Sequence, residues 1–212
     1  MTRLFKIHVM LGACLWLAGC ATPDKPVRST LYDFGPGVTT MQPATVAAQA
    51  LPPIVLGDVE ASGALDGSFV LYRLGYADVH QLRPYAQARW SAPPPQLIRQ
   101  RLREQLAQSR PVLDMGESSG LARSGGALPR VLRLELEEFS HFFESQAQSW
   151  GLLRLRATLM ESTPAGEKLV AQRTMVFRMP APSADASGGV RALAAATDAA
   201  AAEIGQWLAS PR

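Results

Sequence analysis

Between residues 131 and 159 the chain writes the same half-buried face twice. Leu132, Leu134 and Leu136 alternate with Arg133, Glu135 and Glu137. Beyond a polar turn near Glu144 to Ser149, Leu153, Leu155, Ala157 and Leu159 alternate with Arg154, Arg156 and Thr158. A period of two marks a strand with one face against a core and one in water. Two such runs joined by a turn specify an antiparallel hairpin, and an isolated hairpin is unstable until something covers its apolar side. Its polar side sets acids against bases, worth roughly 0.2–1 kcal/mol per good cross-strand pair. Pro164-Ala165-Gly166 then turns the chain into a third consecutive strand, expected over residues 168 to 179.

The cover is also legible. Leu97, Ile98, Leu102 and Leu106 recur at helical spacing behind Pro93-Pro94-Pro95, with Arg99, Gln100 and Arg103 turned away. This is an amphipathic helix of about four turns with prolines at its entry. A second helix is expected from residue 190 to 208, with Val190, Leu193, Thr197, Ala201, Ile204 and Leu208 on one stripe. Its alanines favour helix and permit close packing. Short strands are expected at 31–34, 54–59, 69–76 and from residue 111, with Asp66-Gly67 a turn and Trp90 an anchor into the core. Residues 38–50 and 77–92 show no clear period. Residues 116–126 read as a Gly/Ser surface loop and 180–189 as a linker. The expectation is one α+β domain over 31–212: a mixed, mostly antiparallel sheet of about five to six strands packed with two main helices.

The front of the chain is a different object. Arg3 and Lys6 precede the apolar stretch Ile7 to Gly19, the pattern of an export signal. Thirteen helical residues span about 20 Å, short of the roughly 30 Å hydrocarbon layer. Leu17-Ala18-Gly19-Cys20 resembles the bacterial lipobox, in which the signal is cut before the cysteine and the thiol carries a diacylglycerol. Cleavage is therefore expected between Gly19 and Cys20, with Cys20 lipidated and residues 20–30 a tether. Ala21 after Cys20 resembles the signal for release to the outer membrane. Cys14 leaves with the signal, so no disulfide remains. Of 21 basic residues, Arg3 and Lys6 leave too, so 19 stand against 18 acidic ones and no concentrated basic footprint points to nucleic acid.

Catalytic chemistry finds little purchase. His80 and His141 are the only histidines of the mature chain, no zinc-type ligand cluster accompanies them, and no serine sits in a G-x-S-x-G elbow. Glu135, Glu137 and Glu138 could serve as acid, base or metal ligands, but alternation with leucines makes them a solvated strand face. No enzyme, cofactor or metal is expected. Phe139, Phe142, Phe143 and Trp150 crowd the hairpin tip, where two belong to the core on the simplest reading and the others offer a partner or lipid contact.

In sum the chain resembles the ABC-type transport auxiliary lipoproteins, a family that includes the Pqi (paraquat-inducible) branch. The resemblance rests on the lipobox, Leu31-Tyr32-Asp33-Phe34, Val70-Leu71-Tyr72-Arg73-Leu74-Gly75-Tyr76, and Arg89-Trp90-Ser91-Ala92-Pro93-Pro94 running into the helix. It implies a non-enzymatic outer-membrane lipoprotein that accompanies an ABC transporter permease and ATPase and an MCE-domain protein in lipid transport. It also implies a homo-oligomer. A structural envelope lipoprotein without a transporter, and a periplasmic hydrolase, are the competing readings.

Overall fold

The hairpin at the middle of the sequence becomes the middle of a sheet. In the computed structural model, which describes residues 28–37, 51–61, 63–116 and 128–210, β6 (Arg130–Phe143) pairs antiparallel with β7 (Ser149–Thr163), and β7 with β8 (Gly166–Pro180). Glu135 faces Arg156 across the first pair and Glu138 faces Arg154, as the charge pattern required. The other edge of β6 is shared. β2 (Ile54–Ala61) runs parallel to its first half and β3 (Phe69–Leu74) parallel to its last residues, with a 3-10 turn at Gly63–Asp66 between them. β5 (Val112–Leu113) extends the sheet from β2. β4 (Asp78–Trp90) pairs antiparallel with β3, and β1 (Thr30–Tyr32) pairs parallel with β4.

Among the described residues the sheet thus has eight strands, not five to six, and only three of its pairings, β3–β4, β6–β7 and β7–β8, are antiparallel. The pairs β1–β4, β2–β5, β2–β6 and β3–β6 are all parallel. Two features account for the difference. β4 shows no alternation because β1 covers only its last three residues, and most of the strand is exposed on both faces. Pro84 sits inside it, tolerable where no neighbour needs its missing N–H. The parallel pairs join segments far apart in sequence, which no local period encodes.

A register slip between Leu136 and Glu138 decides what β6 buries. An extra residue in one strand shifts its side-chain phase by one. Leu132, Leu134 and Leu136 point inward before the slip, and Phe139, His141 and Phe143 point inward after it; all six are buried. Strict alternation would have placed the second trio outside.

The inner face is covered by α1 (Pro94–Leu106) and α2 (Ala186–Ala209), which also pack on each other. Trp90 is 2% exposed, as expected of the anchor, and Phe34 meets it edge-on at 5.4 Å while Phe139 lies 5.6 Å away. The second helix starts at Ala186, so the expected linker ends four residues sooner than the sequence indicated. Asp185 caps it by accepting from the Gly188 N–H at 2.7 Å, and Ser183 donates to the same carboxylate oxygen. Asp185→Ala is expected to cost about 1 kcal/mol; a lowered urea midpoint at unchanged slope checks this.

Candidate functional site

Two places bear on function: the segment around β1, and the end of the sheet where two turns lie together. Cys20 and Gly19 lie outside the described residues, as do the expected loop at 38–50 and all but Gly116 of the one at 116–126.

The β1 segment is stapled across the two helices. After β1 the chain runs Asp33-Phe34-Gly35, and the Arg101 guanidinium of α1 donates to the Phe34 and Gly35 carbonyls. Its Nε also lies 3.3 Å from Asp198 of α2. Arg101 is 7% exposed, an unusual place for a charge unless it is paired and hydrogen-bonded. Burial pushes the Asp198 carboxyl above its ordinary range, and Arg101 partly offsets that. Sequence reasoning missed this residue, although the signal was there. Arg101 lies three and one positions from Ile98 and Leu102, on the apolar stripe of α1. Arg99 and Arg103, read as turned away, instead share Asp114.

At the far end of β3 and β6, Leu74 pairs with Phe143, which sets the β3–β4 turn beside the β6–β7 turn. Phe139 and Phe143 are buried, so these are the two of the four rings that join the core. Phe142 and Trp150 stay half-buried on the opposite face. The tip of the Phe142 ring rests against Gly75, where a Cβ would come within 2.3 Å of Cζ, and Arg178 sits 6.0 Å from its centroid. Trp150 donates from Nε1 to Glu144 at 3.1 Å. Tyr76 and Val79, which the sequence did not single out, are each 47% exposed at the same end.

His141 lies beneath this end, fully buried, its Nδ1 2.8 Å from the Tyr85 hydroxyl. The phenol and a neutral imidazole can share that bond in either direction. Nε2 has no partner. Burial pushes the imidazole down to about 4 against a weaker opposing pull from Asp185, and burial pushes the Tyr85 phenol up. A ring with no solvent exposure cannot reach a substrate, and the neighbouring Ser140 points to the other sheet face. His80 is exposed on β4, its backbone N–H bonded to Asp78. The three glutamates are occupied: Glu138 pairs with Arg73 at 3.0 Å, and Arg156 pairs with Glu137 at 2.5 Å and Glu135 at 3.3 Å. Among the described residues no group of three or more His, Cys, Asp or Glu could hold a metal ion. No helix among them is long and apolar enough to cross a membrane.

A family model described as the ABC-type transport auxiliary lipoprotein component matches residues 32–205. The chain belongs to that family. The match takes in every strand except the first two residues of β1, all of α1 and most of α2. This auxiliary lipoprotein superposes on a DUF330-family protein from Xanthomonas campestris with TM-score 0.67 at 18% identity, covering 84% of this chain and 94% of that one. A second crystal structure, of an uncharacterized protein, gives TM-score 0.63 at 14% identity over 86% and 99% of the two chains. At these identities the likeness is one of fold. Among curated proteins none matches.

Proposed function

We propose that this auxiliary lipoprotein is a non-enzymatic docking post of an ABC/MCE-type lipid-transport system, anchored by lipidated Cys20 to the periplasmic face of the outer membrane. The family match over 32–205 carries this reading. The physical features support it. Two or three acyl chains on Cys20 hold a bilayer firmly, where a single chain binds only marginally. A ten-residue tether reaches at most about 35 Å, so the body stays at the membrane surface. His141 is buried, and Glu135, Glu137 and Glu138 are paired with arginines. Self-association fits β8, a strand of 15 residues that, among the described residues, pairs with β7 alone.

The test is site-specific crosslinking in intact envelopes, from exposed positions at both ends of the sheet. The expected result is capture of an MCE-domain protein or a transporter subunit. Recovery of neither, from any position, would leave a structural envelope lipoprotein as the better account. Ester or phospholipid turnover by the purified protein, lost on changing His80 or His141 to alanine, would instead favour the hydrolase.

A further inference from the structure

We infer that the end of the sheet carrying the β3–β4 and β6–β7 turns lies against the same bilayer leaflet that holds the anchor. The inference rests on the lipidation of Cys20 proposed above, and three observations carry it.

The first is direction. β1 runs parallel to β4, and β4 starts at the β3–β4 turn, so the chain enters β1 from the side of that turn. The second is reach. Thr30 is the register partner of Ala88, and ten residues separate Cys20 from Thr30, as ten separate Asp78 at the turn from Ala88. β3 sets Leu74 opposite Asp78 and Phe69 opposite Arg89, so register slips fold this part of β4 into the length of about five strand residues, about 17 Å, and a chain that extends to about 35 Å brings the anchor point within range of this end.

The third is chemistry. Tyr76 and Val79 are each 47% exposed, and the half-buried rings of Phe142 and Trp150 lie on the adjacent turn. Tyrosine and tryptophan combine an apolar body with a polar tip and settle at the level of lipid headgroups. Exposed Arg178, beside the Phe142 ring, offers a partner for a lipid phosphate. The close seat of Phe142 on Gly75 couples the two turns into one surface. A body docked this way turns its β7–β8 end toward the periplasm, where a spanning component arrives.

The test uses the full-length lipidated protein in vesicles of phosphatidylethanolamine and phosphatidylglycerol. Cys14 leaves with the signal and Cys20 is a thioether, so Tyr76→Cys or Ala165→Cys each supplies one reactive thiol for an environment-sensitive fluorophore. Ala165 is exposed in the β7–β8 turn at the opposite end. With lipids spin-labelled near the headgroup, emission at position 76 is expected to fall roughly two-fold or more, as for a group within about 5–10 Å of the headgroup boundary, while position 165 stays unquenched. Val79→Cys provides the same readout independently of the turn. Equal quenching at both ends, or stronger quenching at 165, overturns the inference. So does a position 76 unquenched on vesicles but crosslinked to a transporter subunit in envelopes, which would make this end a protein-docking surface. Flotation and intact mass on the same samples separate the two readings. A protein that floats with lipidated Cys20 but shows no end preference refutes the orientation alone, whereas an unlipidated Cys20 refutes the anchor and the orientation with it.

Discussion

Gly151→Ala is expected to destabilise the folded protein by roughly 3 kcal/mol, whereas Gly205→Ala is expected to stabilise it by about 0.5–1 kcal/mol. Both glycines lie where α2 meets its neighbours, but the space around them differs. A Cβ on Gly151 of β7 would stand 2.4 Å from the Ala192 carbonyl carbon and 2.6 Å from the Leu193 nitrogen. Those are helix backbone atoms and cannot swing aside, so the helix must lift from the sheet along the row that buries Ala192, Leu193 and Ala196. A Cβ on Gly205 meets only the Leu106 Cδ2 at 3.7 Å, an ordinary contact. There alanine only restricts the unfolded chain and improves helix propensity. Urea unfolding of both variants checks the pair. A Gly151→Ala protein as stable as its parent would show that the helix does not approach the sheet this closely.

The second large effect is a loss of stability on mild acidification. The unfolded chain binds a proton at His141 near pH 6.5, whereas the folded chain binds it only near 4. Between those values the unfolded state holds more protons, so folded stability rises with pH through this window. The contribution is complete above about pH 6.5 and falls by about 3 kcal/mol as pH drops to 4. The groups facing the ring are the Tyr85 hydroxyl, Tyr72 beside it, and Asp185 at the start of α2. Asp185 is held below the usual carboxylate range, chiefly by the Gly188 N–H, so it stays charged through most of this window and only partly offsets the burial. Gly189 leaves no slack, since a Cβ there would be 2.5 Å from Nδ1. Stability measured in urea at pH 7 and 4.5 should show the loss in the parent and a flatter dependence in His141→Gln. An NMR titration of the parent that returned an imidazole near its ordinary value would contradict the prediction without relying on the variant.

How much of this was legible depended on the distance over which each feature is encoded. The β6–β7–β8 meander, the apolar faces of α1 and α2, and Trp90 as an anchor are local patterns, and each appears where period and composition placed it. The site was read less well. Two of the four tip aromatics were expected in the core, but which two was set by one register slip in β6 that reversed the phase of Phe139 and Phe143. Arg101 could have been found on the apolar stripe of its helix, but its partners Phe34, Gly35 and Asp198 come from elements far away in sequence. Tyr76 and Val79 carry no period of their own.

The amino-acid sequence alone determined the class of the domain, its central hairpin and helices, its family, and the chemistry expected at Cys20. Hydrophobic period, turn residues and a processing motif all act within a few residues of one another, so they can be read along the chain. Only the tertiary structure decided the parallel pairings, the burial of His141 beside Tyr85, and the side of the sheet from which the chain enters β1. Those depend on which distant segments share a strand edge. That choice is made by the packing of the whole core, which no single window of sequence contains.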